Sequence, residues 1–169
     1  MVTRWKALFS FPNPANDIAA RVVAGVVVVM SVAAIVVPER WLLVPLAYGF
    51  WARVLTGPKL SPLGWLATRV VAPYIATPRP VPGPPKRFAQ AMGTAFSTAA
   101  LVVWFGYSDR LAASVLLGLL AAAASLESFA GYCLGCRIFG LLMRLGLIPD
   151  GVCEECRDLR IRHPELADS

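Results

Sequence analysis

Apolar residues fall along this chain in four long runs, separated by short charged turns and one proline-rich stretch. Ile18 to Val37 gives 20 residues with Arg21 as the sole charge, enough helix at 1.5 Å per residue to cross a hydrocarbon core of roughly 30 Å. Trp41 to Leu55 gives a shorter run of 15 residues, which Arg40 and Arg53 extend if their charges snorkel to opposite interfaces. Phe88 to Tyr107 is a third run of 20 residues, with Gly93, Ala95, Ser97, Ala99 and Ala100 supplying small side chains for close helix packing. The fourth begins at Leu111 and stays apolar to Leu126, which sets Glu127 near its far boundary. The pattern predicts an all-α fold: a polytopic membrane helical bundle of about four spans, with short interfacial or re-entrant helices.

The connecting segments divide the rest. Thr56 to Arg87 holds eight prolines (58, 62, 73, 78, 80, 82, 84 and 85), too many for another long helix. Within it, Leu63 to Val71 lacks proline and reads as a short helix lying in the interface or dipping into the membrane; the strip that follows reads as an extended connector. Before the first run, Phe9 to Asp17 reads as a turn, with Asn16 or Asp17 capping the helix behind it. After the fourth, Ile138, Leu141, Leu142 and Leu145 recur at helical spacing. Three parts result: an N-terminal segment, 1–17; a four-span membrane domain, 18–130, with its proline-rich loop at 56–87; and a cysteine-containing helix and tail, 131–169.

Composition agrees with a lipid environment, since the chain is 57% hydrophobic and only 15% charged, against about a quarter charged in soluble domains. The net charge of +6 does not argue for nucleic acid, because the cations lie between apolar runs and never cluster with stacking aromatics; anionic lipid headgroups are the partner they suit. The first run is longer than the apolar region of a secretory signal and leads into Pro38-Glu39-Arg40 without a small-residue cleavage pattern, so it reads as a retained span. Arg4 and Lys6 precede that span, and Lys59, Arg69, Arg79, Lys86 and Arg87 fill the central loop, whereas the two short turns each hold one Arg beside one acid. This bias predicts cytoplasmic termini and a cytoplasmic central loop.

The candidate chemistry lies in four cysteines spaced Cys-x2-Cys-x16-Cys-x2-Cys. Cys133 and Cys136 should begin a helix whose N-terminal dipole, with the neighbouring Arg137, favours a thiolate able to attack a disulfide or sulfane sulfur. Cys153 and Cys156 enclose Glu154 and Glu155, whose negative field opposes ionisation, so this pair suits relay or resolution. The same spacing falls within the window of structural zinc sites, and four thiolates around one Zn is the competing reading. His163 stands in a polar tail where solvation is the plainer explanation than ligation. Glu127, a carboxylate ending an apolar span, needs a partner, for which Arg53, Arg69 and Arg137 are candidates. Arg53, Lys59 and Arg69 flank turns on the predicted cysteine side, where they can draw in an anionic sulfur compound or contact headgroups. No motif for haem, flavin, nicotinamide or nucleotide is evident.

Phe11-Pro12-Asn13-Pro14, Gly57-Pro58-Lys59, Ser61-Pro62-Leu63-Gly64, Pro82-Gly83-Pro84-Pro85-Lys86-Arg87-Phe88 and Gly131-Tyr132-Cys133-Leu134-Gly135-Cys136 resemble a bacterial membrane family catalogued as domain of unknown function 4395. The resemblance covers most of the chain and implies a small multi-helix protein of the bacterial plasma membrane, without implying a reaction. Cys133 to Cys136 also looks like the cysteine end of membrane domains attached to sulfurtransferases, which implies a thioredoxin-like or sulfurtransferase partner. The leading expectation is a membrane thiol protein handling disulfide or sulfane-sulfur exchange at the cytoplasmic face. Its competitors are a non-catalytic membrane subunit held by a four-cysteine zinc site and a small sulfur-anion transporter. A homo-oligomer and a subunit of a larger membrane complex are both open.

Overall fold

A computed structural model of the chain describes residues 13–37, 39–75, 77 and 79–153. The first long run forms α1 (Asp17–Val36), with the Asn16 side chain accepting from the Ile18 amide at its N-terminus. After a 3₁₀ turn (Arg40–Leu42) comes α2 (Leu43–Thr56), which ends at Gly57 with φ of 66°. The proline-punctuated segment holds α3 (Pro62–Leu66), a π-helical turn (Ala67–Val71) and α4 (Ala72–Ile75), so a short helix does occupy the stretch around 63–71. Ser61 caps α3 by accepting from the Gly64 amide. Then follow α5 (Gly83–Gly106), α6 (Arg110–Ala130) and α7 (Leu134–Arg144).

Among the described residues, α1, α5 and α6 are long and apolar enough to cross a membrane. The second apolar run is different. Its helix has 14 residues, about 21 Å at 1.5 Å per residue, short of the thickness of a hydrocarbon core. The snorkelling expected of Arg53 does not occur either: its side chain folds inward and the residue is 5% exposed.

The bundle forms as α1 packs along α6, α2 along α5, and α5 against both α6 and α7. Small side chains set these distances. A Cβ on Gly93 of α5 would collide with the Phe50 ring of α2, and one on Gly135 of α7 would collide with Ala89 of α5. The shared core includes Val27, Ala34, Leu43, Leu46, Ala100 and Leu117.

One feature was not legible as a contact. Ala15–Asn16 (β1) and Pro80–Val81 (β2) pair antiparallel, Ala15 opposite Val81 and Asn16 opposite Pro80. Asn13 Oδ1 accepts from the Gly83 amide at 2.9 Å, and the Asp17 amide donates to the Arg79 carbonyl at 3.0 Å. The segment before α1 therefore caps α5. Pro84 and Pro85 sit in the first turn of α5, where an amide has no intrahelical partner to lose.

Candidate functional site

Because α1 and α5 begin, and α2 and α6 end, at the same end of the bundle, four ionisable residues gather there. Asp17 opens α1, Arg53 closes α2, Lys86 lies in the first turn of α5 and Glu127 in the last turn of α6. Lys86 Nζ donates to Asp17 Oδ1 at 2.8 Å and to Glu127 Oε1 at 2.7 Å, and Arg21 Nε pairs with Asp17 Oδ2 at 2.9 Å. Lys86 and Glu127 each oppose the dipole of their own helix, so their pairing offsets an unfavourable term at both helix ends. With Lys86 only 6% exposed, it is an internal cation held by two carboxylates.

The chain then turns at Gly131, whose φ of 66° is left-handed and whose missing Cβ leaves room for the Arg21 guanidinium. That turn delivers Cys133 to the N-cap of α7. Cys133 and Cys136 are both free and half-buried, and the Cys136 thiol donates a hydrogen bond to the Cys133 sulfur. This hydrogen bond pulls the Cys133 thiol below its ordinary pKa, with help from the positive charge of Lys86, against burial and Glu127, which push it up. Cys136, as the donor and a buried group, is pushed strongly upward. The pair is thus asymmetric: the arrangement favours the thiolate at Cys133 over the thiolate at Cys136.

A partly open cavity of about 230 Å³ lies beside Cys133. Val23, Val27, Phe50, Phe96 and Leu120 contribute apolar walls, while Glu127, Gln90 and Arg53 supply its polar groups. Arg53 Nε donates to Gln90 Oε1 at 2.9 Å and its guanidinium stacks 4.6 Å from the Phe50 ring centroid. Its Nη2 atom is buried with no hydrogen-bond partner.

The expected residues therefore separate. Cys133, Glu127 and Arg53 meet around one cavity, and Cys136 is joined to them through Cys133. Arg137, expected to favour the thiolate, is exposed and lies 4.9 Å from the Tyr132 ring centroid. Lys59 and Arg69 are exposed and line no part of the cavity. Glu127 is paired with Lys86 rather than with Arg53, Arg69 or Arg137. Cys153 is buried and disulfide-bonded, whereas Cys156 and His163 lie outside the described residues. Among the described residues no three His, Cys, Asp or Glu side chains form a group able to hold a metal.

Fold and site together define a small, mostly helical protein with three membrane-length helices and a free thiol pair beside a buried charge network. The chain belongs to the family described as Domain of unknown function (DUF4395), whose model matches residues 15–144. The matched stretch runs from β1 to the end of α7 and so includes the ion network, the cavity and the first cysteine pair. No curated protein and no solved structure matches the chain.

Proposed function

We propose that this chain is a multi-pass protein of the bacterial plasma membrane, with both termini cytoplasmic, that carries out thiol–disulfide or sulfane-sulfur exchange through Cys133 and Cys136. The membrane reading is supported by the outward faces of the long helices, where Val29, Val36, Leu111, Val115, Leu119 and Phe129 are exposed. So continuous an apolar surface suits hydrocarbon and not water.

The observation that carries the exchange reading is the hydrogen bond from Cys136 to Cys133, which lowers the pKa of one thiol of a free pair while raising that of the other. A Cys133 thiolate attacks one sulfur of a partner disulfide, forms a mixed disulfide and expels the other sulfur as a thiolate. Cys136 then loses its proton and attacks the Cys133 sulfur, leaving a Cys133–Cys136 disulfide and a reduced partner. Two electrons pass to the partner, and the same steps run backward when a partner dithiol reduces the pair. A sulfane-sulfur donor fits the same chemistry: Cys133 takes the sulfur as a persulfide and Cys136 releases it as sulfide. Cys153 and Cys156 are candidates for relaying electrons onward to a thioredoxin-like or sulfurtransferase partner.

Trapping tests this. In native membranes a Cys136→Ser chain should accumulate mixed disulfides through Cys133, visible as higher-mass bands that dithiothreitol collapses, while Cys133→Ser should not. Equal trapping by both variants, or by neither, contradicts the proposal. About one zinc per chain, lost only when both cysteine pairs are replaced, favours the metal-held subunit instead.

A further inference from the structure

The cavity beside Cys133 combines three properties that the exchange reading leaves unused. Its walls are mostly aliphatic and aromatic, from α1, α2, α5 and α6. Its volume of about 230 Å³ is below the roughly 300–1,000 Å³ of pockets that enclose whole drug-sized ligands, so it suits a ring-sized headgroup whose tail stays outside. Among the described residues, two buried polar side-chain atoms have no hydrogen-bond partner, Ser31 Oγ and Arg53 Nη2. Of these two residues only Arg53 lines the cavity.

An unmet guanidinium N–H at 5% residue exposure loses its water without gaining an acceptor in return. Glu127 attracts Arg53 electrostatically but is hydrogen-bonded to Lys86 and makes no ion pair with it. Nη2 itself is closed to water, so an acceptor meets it only when the guanidinium turns toward the cavity that Arg53 lines; the lining as a whole suits an acceptor oxygen on an otherwise apolar molecule. A strongly hydrated anion is disfavoured by these walls and by the carboxylate already present.

We propose that the cavity binds the ring of a lipid-soluble quinone, with one carbonyl oxygen accepting from Arg53, as the electron acceptor of the Cys133–Cys136 dithiol. This rests on the thiol reading above and gives it a direction: partner dithiol to Cys133–Cys136 to quinone. Cys133 and Cys136 give up two protons and two electrons and form one S–S bond, while the two quinone carbonyls take them up to give the quinol. A ligand of this kind dissolves in the hydrocarbon around the long helices, and its ring suits mostly apolar walls.

The test uses the full chain in nanodiscs and a short-tailed benzoquinone with every ring position substituted, which prevents addition of thiols to the ring. Binding is read first in a Cys133→Ser/Cys136→Ser chain, where no electron can move, by saturable quenching of tryptophan fluorescence. Arg53→Met should raise Kd by about tenfold through loss of one charge-assisted hydrogen bond. Ala123→Phe fills the cavity from a half-buried position while leaving Arg53 intact, and should abolish saturation even if the Arg53 variant fails to fold. The reduced wild-type chain should form one quinol for each pair of thiols lost. No saturable binding, or binding indifferent to Ala123→Phe, overturns the quinone assignment while leaving disulfide trapping untouched. Cavity-dependent binding without electron transfer overturns the acceptor role, and the exchange reading then stands or falls on disulfide trapping alone.

Discussion

The two ends of the helix bundle use charge in opposite ways. At the far end, Arg40 lies 5.0 Å from the Phe105 ring centroid, Arg110 Nη2 donates to the Ile35 carbonyl at 3.0 Å, and Asp109 caps α6 through the Ala112 amide. All three side chains belong to exposed residues. At the cysteine end, Lys86 and Arg53 are withdrawn from solvent, and Lys86 is enclosed by carboxylates from two other helices. Exposed charges can be satisfied singly, by a carbonyl or a ring; enclosed ones demand partners, and partners from different helices tie those helices together. The far end is thus a set of caps, and the cysteine end is a network whose members depend on one another.

The sharpest way to break that contrast is to remove the central cation. Lys86→Met leaves Glu127 without an ion-pair partner and Asp17 with Arg21 alone, and should cost about 3–5 kcal/mol, read as a loss of thermal or denaturant resistance in detergent. Adding Glu127→Gln to it should recover part of the loss, because the orphaned charge is gone. If Lys86→Met melts like the parent chain, the enclosed network is not what holds this end together.

A packing change at the same bundle should cost less. Gly93→Ala drives a Cβ into the Phe50 ring and is expected to cost about 1–3 kcal/mol, with Phe50→Leu as a second change that recovers stability. At the far end, Arg110→Ala should leave the melting midpoint essentially unchanged, since an exposed hydrogen bond to a carbonyl contributes little. A large drop there would erase the distinction between the two ends.

The long helices were readable because apolar runs of 20 residues leave few alternatives, and the helix behind the first cysteine motif was readable from the spacing of Ile138, Leu141, Leu142 and Leu145. The cation that organises the site was not. Lys86 follows two prolines and reads as loop, yet prolines are tolerated in a first helical turn, so α5 begins at Gly83 and carries Lys86 inward. The proline pair itself was the available signal. Glu127 was recognisable as a carboxylate needing a partner, but the cation that reaches it stands 41 residues earlier, at the start of the preceding helix, and meets it only when α5 and α6 pack antiparallel. The β1–β2 pairing escaped for the same reason, as two residues against two leave no periodicity to read. Arg53 was singled out for its charge; only packing reveals that it is turned inward beside the thiol pair.

The asymmetry of Cys133 and Cys136 is the claim on which the functional reading stands, and the pH dependence of Cys133 alkylation tests it directly. A folded-state hydrogen bond from Cys136 favours the thiolate form of Cys133, so iodoacetamide should react with Cys133 at a lower pH than with an ordinary thiol. Replacing Cys136 with Ala removes that donor and should move the reaction midpoint upward. A midpoint in the ordinary thiol range for the parent chain, unmoved by Cys136→Ala, would contradict the account.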